Sequence, residues 1–85
     1  MHGDFSTGQV SVGTTATQIF ASKPGVDQVL IQNMGTASVF IGKAGVTAAT
    51  GYPILAGDTV ELPVTEAIFG IVATGTQTVA VLITA

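Results

Sequence analysis

The sequence predicts an all-β domain, an antiparallel β-sandwich or small jelly-roll-like barrel of about seven or eight short strands. Three observations carry that expectation. Val, Ile, Thr and Gly dominate the composition, and these residues favour pleated strands and turns over helices. Apolar residues at i, i+3 and i+4 never persist long enough to mark a helix. Gly-bearing turn signals separate short apolar runs at the spacing of a sandwich. At 85 residues the chain has room for one core.

Residues 1–9 read as an extended N-terminal arm with Phe5 as its anchor, and 10–85 as a single β-sandwich domain. Strands are expected at Gln9–Val12 and Thr17–Ser22, then at Gln28–Met34 and Ser38–Gly42. The last two read as a hairpin turning at Met34-Gly35-Thr36, where glycine supplies positive φ. On the returning strand Val39 and Ile41 share one face, which leaves Phe40 on the face opposite the core. The run GKAGVTAATGYP, Gly42 to Pro53, is expected to be a surface loop of the length that is commonly functional or covered by a partner, with Tyr52 as its one large side chain.

A short strand fits at Pro53–Leu55, and a further one at Thr59–Val64 after the turn AGDT. There Val60, Leu62 and Val64 face inward, and Pro63 marks an edge strand or a bulge. Ala67–Ala73 and Gln77–Thr84 follow, joined by ATGT as a second expected hairpin. In the final strand Val79, Val81 and Ile83 form the inward set. Ala80 and Leu82 lie opposite them, so this strand is expected to be covered on both sides. A Gly-Thr turn followed by an apolar run recurs at Gly13, Gly35 and Gly75; turn-and-strand grammar accounts for it without duplication.

Charge is scarce: two Lys, no Arg and five acids give a net −3, and charged residues make up 8% of the chain. A soluble small domain usually carries about 25–35% charge on its surface. Thr, Ser, Gln and Gly must therefore do the solvating, or other protein must cover part of the surface. Nucleic acid is excluded as a natural partner because no positive footprint exists for phosphate. Cysteine is absent, so neither disulfides nor thiolate chemistry are available, and oligomerisation is the readiest other source of stability.

The N-terminus lacks the basic and apolar regions of a secretory signal, which reads as an intracellular product. Ala67–Ala85 is uncharged and long enough to suggest a membrane span. Gly70, Thr74, Gly75, Thr76, Gln77 and Thr78 at its middle argue against a bilayer helix, so no membrane partner is expected.

No residue set carries recognisable catalysis, and the chain reads as a non-enzyme without metal or cofactor. The only histidine, His2, is next to the terminus, and no base stands near a nucleophile. Zinc and calcium spacings are absent. Asp58 fits a turn, and Glu61 an outward charge that keeps an edge strand from pairing. The Gly-rich run after Gly42 lacks the following helix that a phosphate cradle needs. What remains is binding, with Phe5, Phe40, Tyr52 and Leu82 as the candidate partner interface.

The run VLIQNMGTASVFIGKAGVTAATGYPILAGDTVELP, continuing into AIFGIVATGTQTVAVL, resembles the small all-β virion proteins of tailed bacteriophages, particularly head-decoration or cement proteins. The resemblance spans Val29 to Leu82. It rests on an Asn-x-Gly-Thr turn, a Gly-Val-Thr-x-x-Thr-Gly loop, an Ala-Gly-Asp turn and an Ala-Thr-Gly-Thr turn. It implies a homotrimer on the outer capsid surface that clamps neighbouring major capsid protein subunits, made in the host cytoplasm, with residues 1–9 as an arm along the shell. Many proteins of that type are longer, which leaves a tail or fibre role open. A closed trimer burying about 800 Å² per copy would also cover the surplus apolar surface. A second reading is a glycan- or receptor-binding module using Tyr52 and amides such as Gln77. A third, a cupin-like enzyme, matches in strand count but lacks the histidine cluster.

Overall fold

A computed structural model describes residues 4–84, all in strands, turns and loops without a helix. His2 and the first three residues of the expected arm lie outside the described residues. Eight strands follow in order: β1 (Phe5–Val12), β2 (Thr17–Phe20), β3 (Gln28–Asn33), β4 (Val39–Gly42), β5 (Tyr52–Ile54), β6 (Thr59–Leu62), β7 (Ile68–Ile71) and β8 (Gln77–Thr84). They form two four-stranded antiparallel sheets, β1-β8-β3-β6 and β2-β7-β4-β5. Consecutive strands thus alternate between sheets, except at β4–β5. That is the connectivity of a jelly roll.

Alternation along each strand builds the core. Val12, Val29, Ile31, Val79 and Val81 of the first sheet face Ile19, Phe20, Val39, Ile41, Ile54 and Ile68 of the second, and all are buried. Burying such side chains contributes roughly 1.5–3 kcal/mol each. The accessible surface is 4804 Å², in line with the ~4,700 Å² that mass scaling expects of a compact monomer of this size. Large apolar side chains left well exposed among the described residues are Phe5, Met34, Tyr52 and Leu55. The surplus apolar surface is therefore local rather than general.

Strand positions follow the expected pattern closely, but both expected hairpins are absent. β3 pairs with β6 and β8, and β4 with β5 and β7, so the Met34-Gly35-Thr36 turn carries the chain from one sheet to the other. The ATGT segment does the same between β7 and β8, with Gly75 at φ 68. A tight Gly turn reverses the chain equally well beside its neighbour or across the core. Asn33 decides for the latter at the first crossover. Fully buried, it donates from Nδ2 to the carbonyls of Ala37 (2.8 Å) and Ile54 (2.9 Å), and its Oδ1 accepts from the Gly35 amide (2.9 Å). Its backbone also accepts from Gly57 (2.8 Å) and donates to Asp58 (2.9 Å), which ties in the β5–β6 turn.

Three further expectations change. From Phe5 onward the segment read as an arm is the first half of β1, paired with β8 from Phe5↔Thr84 to Val12↔Gln77. Such a polar run, exposed on both faces, looks like an arm in sequence because only its backbone is held. The final strand, β8, is flanked on both edges by β1 and β3, but no element covers its outer face, where Ala80 and Leu82 stay half-buried. Tyr52 opens β5 rather than ending a loop.

Candidate interaction surfaces

The outward rows of the eight strands share one property. On the first sheet they run Phe5–Thr84–Gln28, Thr7–Leu82–Leu30–Glu61 and Gln9–Ala80–Gln32–Thr59. On the second they comprise Gln18, Phe69, Gly42, Phe40, Ile71 and Pro53. Among these residues Glu61 alone is charged. It sits on edge strand β6, where its Oε1 accepts from Gln28 Nε2 at 3.3 Å. The remaining charges of the described residues lie in turns and loops. The second sheet's outer face is thus a surface that a partner can cover without desolvating an ion, and the first sheet's is one up to Glu61 at its β6 edge.

The second sheet's outer face is the more apolar. Phe40 stands opposite Ile71, with Phe69 one step along β7, and all three are half-buried. Part of their cover comes from the 43–51 loop, which folds back on this face. Val46 is buried there, close enough to Gly42 that a Cβ on the glycine would sit 2.8 Å from Val46 Cγ2. A Cβ on Gly51 would meet Phe40 Cβ at 2.6 Å, so this loop needs glycine where it crosses the ring's base. Thr47 and Thr50 lock the loop reciprocally: each backbone amide donates to the other's hydroxyl, at 3.0 and 3.2 Å. The loop expected to be functional or covered by a partner itself covers part of this face.

On the far side of the sandwich, the first sheet's outer face forms a shallow groove of about 440 Å³ floored by Leu30, Leu82 and Ala80 and bordered by Thr7, Gln9, Gln32 and Thr59. Between the sheets, on the β5/β6 side, the core opens into a cleft of about 510 Å³. Val60, Leu62 and Val64 line one wall, and Ile41, Ile68 and Tyr52 the other. Tyr52, opposite Ile41 in the ladder and so on the inward side, is 65% exposed because no strand of the first sheet reaches over it. Lys43 and Glu66 form an exposed ion pair of 3.6 Å at the rim.

The four interface residues read from the sequence therefore do not converge. Phe5 and Leu82 share the first sheet's outer face, Phe40 lies on the second sheet's, and Tyr52 looks into the cleft. Phe69 and Ile71 beside Phe40, and Leu30 beside Leu82, escaped that reading. Alternation along IFGI and QVLIQN was the available signal, since both strands carry apolar residues on each face.

Among the described residues no group of three or more His, Cys, Asp or Glu could hold a metal ion, and no helix is long and apolar enough to cross a membrane. Fold and surfaces together define a small jelly-roll domain with charge-poor sheet faces and an open apolar cleft. Comparison with known protein families, curated proteins and solved structures finds no match to the chain.

Proposed function

We propose that this chain is a non-enzymatic structural protein of a tailed-phage virion, a head-decoration or cement protein that binds the major capsid protein on the outer capsid surface as a homotrimer. The sequence resemblance over Val29–Leu82 motivates the setting. The observation that carries the reading is the near absence of charge from the outward rows of both sheets, with Phe40, Phe69 and Ile71 clustered on one of them. Aromatic and aliphatic clusters on an uncharged face are what a buried interface uses at its centre. Sedimentation of the purified chain, alone and with capsids stripped of decoration protein, tests it. The expected result is a species of three times 8.5 kDa that co-sediments with capsids. A compact monomer at micromolar concentration without capsid binding overturns it.

The exposed Tyr52 at the mouth of the cleft favours a second reading, a glycan- or receptor-binding module of a fibre, tail or capsid surface. Gln77 is half-buried and its Oε1 accepts from the Thr36 amide at 2.9 Å, which leaves its Nε2 to donate to a ligand. Saturable binding on a glycan array that is lost in Tyr52→Ala would favour this module over the decoration protein.

A further inference from the structure

The four sheet edges are not alike. Proteins keep edge strands from recruiting other chains by making them short, bulged, charged or proline-bearing. β2 has four residues, and its register slips between Gln18 and Phe20. β5 has three residues, one of them Pro53. β6 has four, carries Glu61 and runs into Pro63. β1 has none of these devices: it is eight residues long, FSTGQVSV, uncharged, free of proline and in unbroken register with β8. Among the described residues no strand lies beyond it in the sheet. In an antiparallel ladder every second residue directs its N–H and C=O away from the partner strand, so along β1 those groups point outward.

We propose that β1 is a pairing edge whose occupant is β1 of a second copy of this chain, joining two first sheets into one continuous eight-stranded sheet about a two-fold axis. The contact goes beyond the trimer of the proposed function, because a two-fold axis joins copies in pairs and cannot by itself close a ring of three. Self-pairing fits the chemistry of the strand. With no charge between Phe5 and Val12, antiparallel juxtaposition opposes no like charges. Access is open, since Phe5 to Gln9 are exposed on both faces of the strand and a Cβ at Gly8 would meet nothing within 4 Å. A two-fold perpendicular to the sheet keeps both outer faces on one side, so odd-numbered residues oppose odd-numbered ones. Thr7 and Gln9 therefore meet the Thr7, Gln9 and Ser11 row of the partner. Two strands of about 27 Å make a contact well below the standard interface of ~1,600 Å². A contact of that size class is weak and transient rather than permanent.

Sedimentation velocity from 10 µM to 1 mM, combined with amide hydrogen exchange, tests the proposal on the full chain. The expected result is an even-numbered species, two copies or, where a trimeric contact also forms, six, with exchange at Thr7–Val10 slowing as concentration rises. Thr7→Lys/Gln9→Lys places like charges across the two-fold on a solvent-facing row. It should raise the midpoint of association at least tenfold while circular dichroism stays unchanged. Should the double variant fail to fold, Thr7→Lys alone carries the same test. A strict trimer whose mass and β1 exchange ignore the lysines overturns the β1 contact and leaves the trimer standing. A two-copy species dispersed by the lysines supports the contact and overturns the trimer. A monomer throughout, with freely exchanging β1 amides, overturns both.

Discussion

The side-chain amide of Asn33 donates to the carbonyl of Ile54 at 2.9 Å, a bond that runs from the first sheet to the second through the core. With the bonds to Ala37 and Gly35 it holds the β3–β4 crossover to the end of β5, at the point where the chain must leave one layer for the other. Asn33 and Ile54 are both buried, so the Ile54 carbonyl has no water to turn to when that bond is lost, whereas Ala37 is exposed and Gly35 half-buried.

Asn33→Ala should accordingly lower stability by about 1–3 kcal/mol, chiefly because it strands the buried Ile54 carbonyl. Urea denaturation measures this. Asn33→Asp adds a pH dependence of known sign. A buried carboxylate facing two carbonyl oxygens has its folded-state pKa raised above the unfolded value of about 3.9. The variant is then most stable below the unfolded pKa and loses stability as pH rises through the folded one. Its midpoint relative to the parent should therefore fall between pH 3 and pH 7; a constant offset would refute the assigned contacts.

Glycine substitutions should separate by what surrounds them. Gly70→Ala puts a methyl 2.5 Å from Ile19 Cδ1 inside the core, and Gly51→Ala puts one against Phe40 Cβ and its backbone carbonyl carbon. Each should cost about 1–3 kcal/mol as overpacking. Gly8→Ala meets no atom within 4 Å and should be neutral or stabilising by up to about 1 kcal/mol through the unfolded state. Thermal unfolding of the three variants compares them directly.

Phe40 and Ile31 should show opposite profiles. Ile31→Ala empties a fully buried site and should cost about 2–5 kcal/mol with assembly following stability. Phe40→Gln changes a half-buried outward residue and should cost less than about 1.5 kcal/mol while abolishing co-sedimentation with capsids. Retained capsid binding in Phe40→Gln would remove that face from the interface.

Breaking the Lys43–Glu66 pair should leave stability almost unchanged. Both side chains are highly exposed, at 82% and 72%, so solvent and salt screen the attraction. Lys43→Ala should shift the unfolding free energy by less than about 0.5 kcal/mol, in low salt and high alike. A clear salt-dependent loss would show that the rim of the cleft is held electrostatically.

Strand content, inward sets and the outward place of Phe40 were all determined by the sequence alone. They depend on local β-propensity and on a side-chain period of two, both of which act within a few residues. Pro63 left an edge strand or a bulge open for β6, because it cannot donate to a ladder, and the structure shows the edge. Tertiary structure decided which strands became neighbours. MGTA and ATGT have the chemistry of hairpin turns, but the apolar sets on both sides of each turn face one another across two layers in a shared core. Asn33 fixes the first of those crossings with bonds to residues near and distant in the chain. The scattering of Phe5, Phe40, Tyr52 and Leu82 over three surfaces has the same origin, since exposure depends on what lies across the sandwich. β1 became an open edge for the same reason: β8, more than sixty residues away in sequence, took one side of it, and no strand among the described residues took the other.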